Sequence, residues 1–151
     1  MPDQKIYDKL TTYCAYQERS AKDVRQKLVK LKAEPDDTAY YLERLQRENY
    51  LNETRFAKAF IEGHLRKKWG KAKIKAALAQ KGIAANTVKN LLDDVEDEGY
   101  AEQLLAAATH KLKSIKGETD YDRKIKLTRF LLSKGYESSR ISAVVKQLFA
   151  K

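Results

Sequence analysis

The stretch Asn49-Tyr50-Leu51-Asn52-Glu53-Thr54-Arg55-Phe56-Ala57, running through Arg66-Lys67-Lys68-Trp69-Gly70 to Gln80-Lys81-Gly82-Ile83, decides the fold. Asn52 suits a helix N-cap, because its side-chain oxygen can accept a free N–H of the first turn. In the helix that follows, over 52–69, Phe56, Phe60 and His64 share one face and Ile61, Leu65 and Trp69 an adjacent one. An apolar arc that wide belongs to a helix covered on more than one side. Gly70 breaks this helix, and a short one follows over 70–81, with Ile74 and Leu78 inward and Lys71, Lys73 and Lys75 outward. Gly82 suits the left-handed residue that ends it.

The same scheme lies on either side. Before it, residues 4–18 read as a helix with Ile6, Leu10, Tyr13, Cys14 and Tyr16 inward. Ser20 and Asp23 have capping-box spacing ahead of Val24, Leu28 and Leu31. Pro35 opens a third helix carrying Ala39, Tyr41, Leu42 and Leu45. After it, Asn86–Glu98 carries Val88, Leu91, Leu92 and Val95, and Gly99-Tyr100 begins the next long helix, lined by Ala101, Leu104, Leu105, Ala108, Leu112 and Ile115. Thr119 with Asp122 can cap a helix bearing Ile125, Leu127, Phe130 and Leu131, which Gly135 ends. Ile141, Val144, Val145, Leu148 and Phe149 make the last helix.

These segments superimpose as an internal repeat. Val24, Ile74 and Leu127 align, and Leu28, Leu78 and Leu131 then coincide, as do Lys32, Gly82 and Gly135. Thr38, Val88 and Ile141 align further on, with Leu42, Leu92 and Val145, and with Leu45, Val95 and Leu148; Tyr50 and Tyr100 match at the same offset. The expected fold is all-α: three tandem three-helix, helix-turn-helix-like repeats at 1–49, 50–98 and 99–151. A unit of this size is marginal alone, so neighbours share contacts and an elongated, curved array is expected.

Composition narrows the function. Apolar residues make up 42%, enough for a packed core. The net charge of +10 favours a polyanionic partner, either nucleic acid or a protein working on it. A single cysteine, Cys14, excludes an internal disulfide and reads as a small apolar residue rather than a nucleophile. The first twenty residues are charged and lack a signal-peptide pattern, and no run approaches a membrane span, so a cytoplasmic protein away from membranes is expected.

No catalytic constellation is present, and neither a cofactor nor a metal is expected. His64 and His110 lack a second ligand at metal spacing. Gly70-Lys71 lacks the upstream glycine and the following Ser or Thr of a phosphate-binding loop. The acidic run Asp93, Asp94, Glu96, Asp97, Glu98 reads as a solvated helix end or a dock for a basic patch. Trp69 can stack on a base or pack between repeats; packing is favoured because it continues the Ile61–Leu65 stripe. The basic stretches recur once per repeat and could follow a phosphate backbone or a negative protein groove. Arg19, Lys22 and Arg25 represent the first, Arg66, Lys67, Lys71 and Lys75 the second, and Arg123, Lys124 and Lys126 the third.

Leu51-Asn52-Glu53-x-x-Phe56-Ala57 followed by Arg66-Lys67-Lys68-x-Gly70-x-x-x-Ile74-x-x-x-Leu78-x-x-Lys81-Gly82-Ile83 resembles the central motif of the RecX regulatory proteins. Arg19-Ser20-x-x-Asp23-Val24-Arg25-x-Lys27-Leu28 resembles the motif before it, and Lys124-Ile125 with Arg129-Phe130-Leu131-Leu132-x-Lys134-Gly135-Tyr136 the motif after it. Lys68 and Lys71 depart from the glycine and proline common there. The resemblance implies a non-enzymatic regulator bound in the groove of the RecA filament on single-stranded DNA; a monomer is expected. Such a regulator inhibits ATP hydrolysis, strand exchange and co-protease activity. The ten basic residues above are then its candidate contacts with RecA or DNA. The alternative is a direct nucleic-acid-binding helix-turn-helix module, but lysines, which position without specifying, dominate the outward residues.

Overall fold

The computed structural model describes residues 1–150; Lys151, the last residue of the third expected repeat, lies outside the described residues. The described chain is helical throughout, without a strand. Helices α1 (Gln4–Tyr16), α2 (Ala21–Lys30) and α3 (Thr38–Arg47) come first, with a 3-10 turn, Pro35–Asp37, leading into α3. Then come α4 (Glu53–Arg66), α5 (Lys71–Gln80) and α6 (Ala85–Asp93), and last α7 (Asp97–Leu112), α8 (Asp120–Ser133) and α9 (Ser138–Leu148).

Helix starts follow side-chain chemistry. The Arg55 N–H donates to the Asn52 side-chain oxygen at 2.8 Å, and the Asp122 N–H donates to Thr119 Oγ1 at 3.1 Å. Ser20 and Asp23 form a complete capping box, each side chain accepting the other's backbone N–H at 3.0 Å.

The second helix of each set stops in the same way. Lys32, Gly82 and Gly135 all have left-handed backbones, with φ of 59°, 77° and 93°. Each donates its N–H to the carbonyl three residues back, and the next N–H reaches back five: Ala33 to Leu28, Ile83 to Leu78, Tyr136 to Leu131. This is the Schellman arrangement, which satisfies two orphan carbonyls and reverses the chain toward the third helix. Asn49 and Lys68 end α3 and α4 in the same fashion.

Packing gathers the chain into two compact units, Met1–Phe60 with Leu78–Val88, and Ile61–Ala77 with the residues from Lys89 on. The first has a core of Tyr7, Leu10, Cys14, Val24, Leu28, Tyr41 and Leu45. The second is built on Tyr100, Leu104, Ala108, Leu127, Leu131, Tyr136 and Ile141. The aligned leucines Leu28, Leu78 and Leu131 are all buried, as are Val24, Ile74 and Leu127.

Several expectations are corrected. Tyr16, expected inward, is 82% exposed, because α1 ends there and no neighbouring element covers it. Tyr7 takes the inward place instead, one turn before Leu10. Ala39 and Ala101 are exposed, since the apolar face of α3 runs through Tyr41 and Leu45 and that of α7 through Leu104 and Ala108. The third helix of the middle set stops at Asp93, and α7 starts at Asp97, so Gly99 and Tyr100 lie inside a helix. The acidic run spans that junction, with Asp97 and Glu98 in the first turn of α7, where the helix dipole favours carboxylates.

Within the second unit the α4–α5 connection crosses the α8–α9 connection backbone to backbone. The Gly70 N–H donates to the Lys134 carbonyl at 2.6 Å, and the Ala72 N–H to the Gly135 carbonyl at 3.0 Å. A Cβ on Gly70 would sit 2.3 Å from the Gly135 carbonyl carbon, and one on Gly135 2.4 Å from the Lys73 backbone nitrogen. Gly70 occupies the register of the cap Ser20, and it gives up a side chain so that another backbone can fill the space.

Two tests follow from this packing. Leu78→Ala should destabilise the protein by about 2–5 kcal/mol in a denaturant titration, the cost of truncating a fully buried leucine; wild-type stability would contradict its place in the core. The left-handed ends should respond oppositely. Gly135→Ala meets backbone at 2.4 Å and should lower stability sharply, whereas Lys32→Gly, at an exposed left-handed lysine, should raise it by up to about 1 kcal/mol. A cost at Gly135 no larger than the gain at Lys32 would show that backbone conformation alone, not the crossing, sets it.

Candidate partner-binding surface

The ten candidate basic residues divide by what their side chains already do. In the first unit, Lys22 and Arg25 are exposed on α2. Lys22 Nζ donates to the Gln80 carbonyl at 2.8 Å, tying the start of α2 to the end of α5. Arg19 is half-buried, its guanidinium 3.7 Å from the centre of the Tyr13 ring and its Nε donating to the Tyr13 carbonyl at 3.0 Å.

In the second unit, Arg66, Lys67 and Lys75 are exposed, the first two at the end of α4. Lys71 is half-buried, with Nζ 4.7 Å from the Tyr100 ring centre and its backbone N–H donating to the Tyr100 hydroxyl. That hydroxyl in turn donates to Glu137 Oε1 at 2.7 Å. Burial first, and Glu137 second, push the Tyr100 hydroxyl well above its ordinary pKa, so it stays protonated as a donor. Arg123 pairs with Asp120 at 3.5 Å, Lys124 Nζ is 5.4 Å from the Phe149 ring centre, and Lys126 donates to the Lys116 carbonyl. Lys124 and Lys126 are exposed and Arg123 half-buried.

The junctions that carry these cations differ in charge. At the first, Lys81 Nζ meets Asp23 Oδ1 at 2.6 Å. Burial alone would raise the Asp23 carboxyl, but hydrogen bonds from Lys81 and Ser20 outweigh it and hold the carboxyl below its ordinary value. The residues in the same register at the second junction are Lys73 and Lys134. Burial, and then the nearby Lys73 charge, push Lys134 down. Lys73 Nζ lies 4.1 Å from the Trp69 ring centre, and Trp69 packs on His64 with ring centres 4.3 Å apart. The Trp69 carbonyl accepts from Gln103 at 3.0 Å.

Each second helix also exposes an apolar residue in one register: Val29 on α2, Ala79 on α5 and Leu132 on α8. Val29 is 77% and Leu132 47% exposed. A cation stands about one turn before each: Arg25, Lys75 and Arg129. Sequence reading missed this register, because inward columns were aligned and outward ones were not. It also missed the Tyr100–Glu137 pair, whose members lie 37 residues apart.

Nothing in the described residues gathers three or more His, Cys, Asp or Glu side chains around a metal position, and no described helix is long and apolar enough to cross a membrane. Burial pushes the Cys14 thiol up to about 11, which keeps it a thiol at neutral pH.

Comparison with known proteins places the chain. The RecX second and third three-helix domains match residues 52–92 and 98–145. The regulatory protein RecX of Chlorobium phaeobacteroides is 32% identical over 148 residues, covering 97% of this chain and 95% of the relative. RecX of Clostridium perfringens is 33% identical over 86% of this chain; the match spans 62% of that relative's length. A crystal structure of RecX from Lactobacillus salivarius superimposes with a TM-score of 0.82 at 23% identity, covering 96% of this chain and 95% of that one. A second crystal structure of regulatory protein RecX gives 0.85 at 22% identity, covering 93% and 71%. The two matched domains, and a relative 32% identical over nearly the whole of both chains, show that the chain belongs to the RecX family of regulatory proteins.

Proposed function

We propose that this protein is a non-enzymatic regulator that binds the RecA filament on single-stranded DNA and restrains its ATPase, strand-exchange and co-protease activities. In this reading it works as a monomer in the cytoplasm, through three repeats at residues 1–49, 50–98 and 99–151. The observation that carries the reading is the exposed side of the second helices, where Arg25 and Val29, Lys75 and Ala79, and, with the cation one position out of register, Arg129 and Leu132 pair a cation with an exposed apolar residue. A phosphate backbone rewards the cations but gives an exposed valine or leucine nothing to bury. A negatively charged protein groove rewards both, which favours a protein partner over the helix-turn-helix alternative. Of the ten candidate contacts, Lys22, Arg25, Arg66, Lys67, Lys75, Lys124 and Lys126 are the exposed ones, and this reading assigns the RecA contact to them; Arg19, Lys71 and Arg123 are half-buried against aromatic rings or a carboxylate of their own unit.

The test is RecA's DNA-dependent ATPase, titrated with the wild-type protein and with Arg66, Lys67 and Lys75 together changed to Glu. Each exposed contact contributes about 0.2–1 kcal/mol, so the triple variant should need on the order of tenfold more protein for half-inhibition while keeping its helical circular dichroism. Full inhibition by the folded triple variant would remove this basic surface from the mechanism and direct attention to the acidic junction Asp93–Glu98.

A further inference from the structure

The free end of α1 and the adjoining flank of α2 form a groove of about 500 Å³ that no reading above uses. This size lies within the usual range for ligand pockets, about 300–1,000 Å³. Tyr13 and Tyr16 supply its aromatic wall, and Lys9, Arg19 and Lys27 its cations. Asp8 is its one carboxylate. Tyr16 is 82% exposed, an unusual state for so large a ring. Arg19 is pinned: its guanidinium lies 3.7 Å from the Tyr13 ring centre and 5.9 Å from that of Tyr16, and its Nε is bound to the Tyr13 carbonyl. Lys27 Nζ is 5.2 Å from the Tyr13 ring centre, on the side of α2 away from Arg25 and Val29. The groove lies in the part of the chain before residue 52, ahead of the two matched domains.

We propose that this groove binds single-stranded nucleic acid. The exposed ring of Tyr16 and the guanidinium plane that Tyr13 immobilises are surfaces on which unpaired bases stack. Lys9 and Lys27 place positive charge beside the stack, where the backbone phosphates of the same strand run. A duplex keeps its base faces inside and offers Tyr16 none. A proline-rich peptide would use the tyrosines but gains nothing from three cations, so charge complementarity selects the nucleic acid. The site needs no recombinase and shares only Arg19 with the basic residues considered above.

The experiment uses the whole chain without RecA. Binding of a fluorescent oligothymidylate is followed by anisotropy, beside a duplex of equal length and an unlabelled proline-rich peptide as competitor. The expected result is tighter binding of the single strand than of the duplex. Tyr16→Ala should weaken single-strand binding about tenfold, Tyr16→Phe should retain it, and Tyr121→Ala, at an exposed tyrosine on α8, should leave it unchanged. Lys27→Glu should weaken it and lower its salt dependence. Because the readout contains no filament, these results stand whether or not the ATPase test succeeds. Wild-type affinity in both Tyr16→Ala and Lys27→Glu, equal loss for strand and duplex, or displacement of the strand by the peptide would each overturn the proposal.

Discussion

Each second helix must end in a residue with positive φ, and the remaining architecture depends on that turn. Once Lys32, Gly82 or Gly135 adopts it, its own N–H and the one after it fold back onto the helix end and the chain reverses toward the third helix. The turn also orders the residue after it. Ile83 and Tyr136 are carried into buried positions by the same hydrogen bond that closes the helix. A lysine can occupy this position at a modest energetic cost in the first repeat because its side chain points into solvent. At Gly135 the space is taken by the backbone of Lys73, and only glycine fits.

The two places where second helices meet solve one problem by different chemistry. Both bring the start of one second helix against the end of the next. At α2 and α5 the contact runs through side chains: Lys22 reaches the Gln80 carbonyl and Asp23 reaches Lys81. At α5 and α8 the backbones meet directly, through Gly70 with Lys134 and Ala72 with Gly135. A direct approach removes the room for a salt bridge. The charge pair of the first contact is accordingly absent from the second, where two lysines stand in its register and one of them is partly desolvated. Tyr136 and Tyr100 strengthen the closer contact, donating respectively to the Lys68 carbonyl and to Glu137.

The same economy separates cations that build the protein from cations that face outward. Arg19 and Lys71, both half-buried, lie on tyrosine rings of their own units. Lys75, Arg25 and Lys67 are instead exposed. A basic chain of this kind therefore presents fewer binding charges than its composition implies, and their arrangement matters more than their number.

Local chemistry was legible without the fold. The caps at Ser20, Asn52 and Thr119, the buried columns through Leu28, Leu78 and Leu131, and the helix ends at Gly82 and Gly135 depend on spacings within about ten residues, and the sequence alone determined them. It also carried the motifs of the RecX family. What the tertiary structure decided involves partners far apart in the chain. Gly70 reads as a helix breaker, yet it is glycine because the Lys134–Gly135 backbone passes within bonding distance. Tyr16 reads as the next apolar residue on α1, yet it lies beyond the last neighbouring element and stays in solvent. Helical period determines which residues share a face, but only the packed neighbours determine where that face stops being covered. For the same reason the ten basic residues were found by composition, while their separation into ring-bound and solvent-facing groups required the rings and carbonyls that the fold sets beside them.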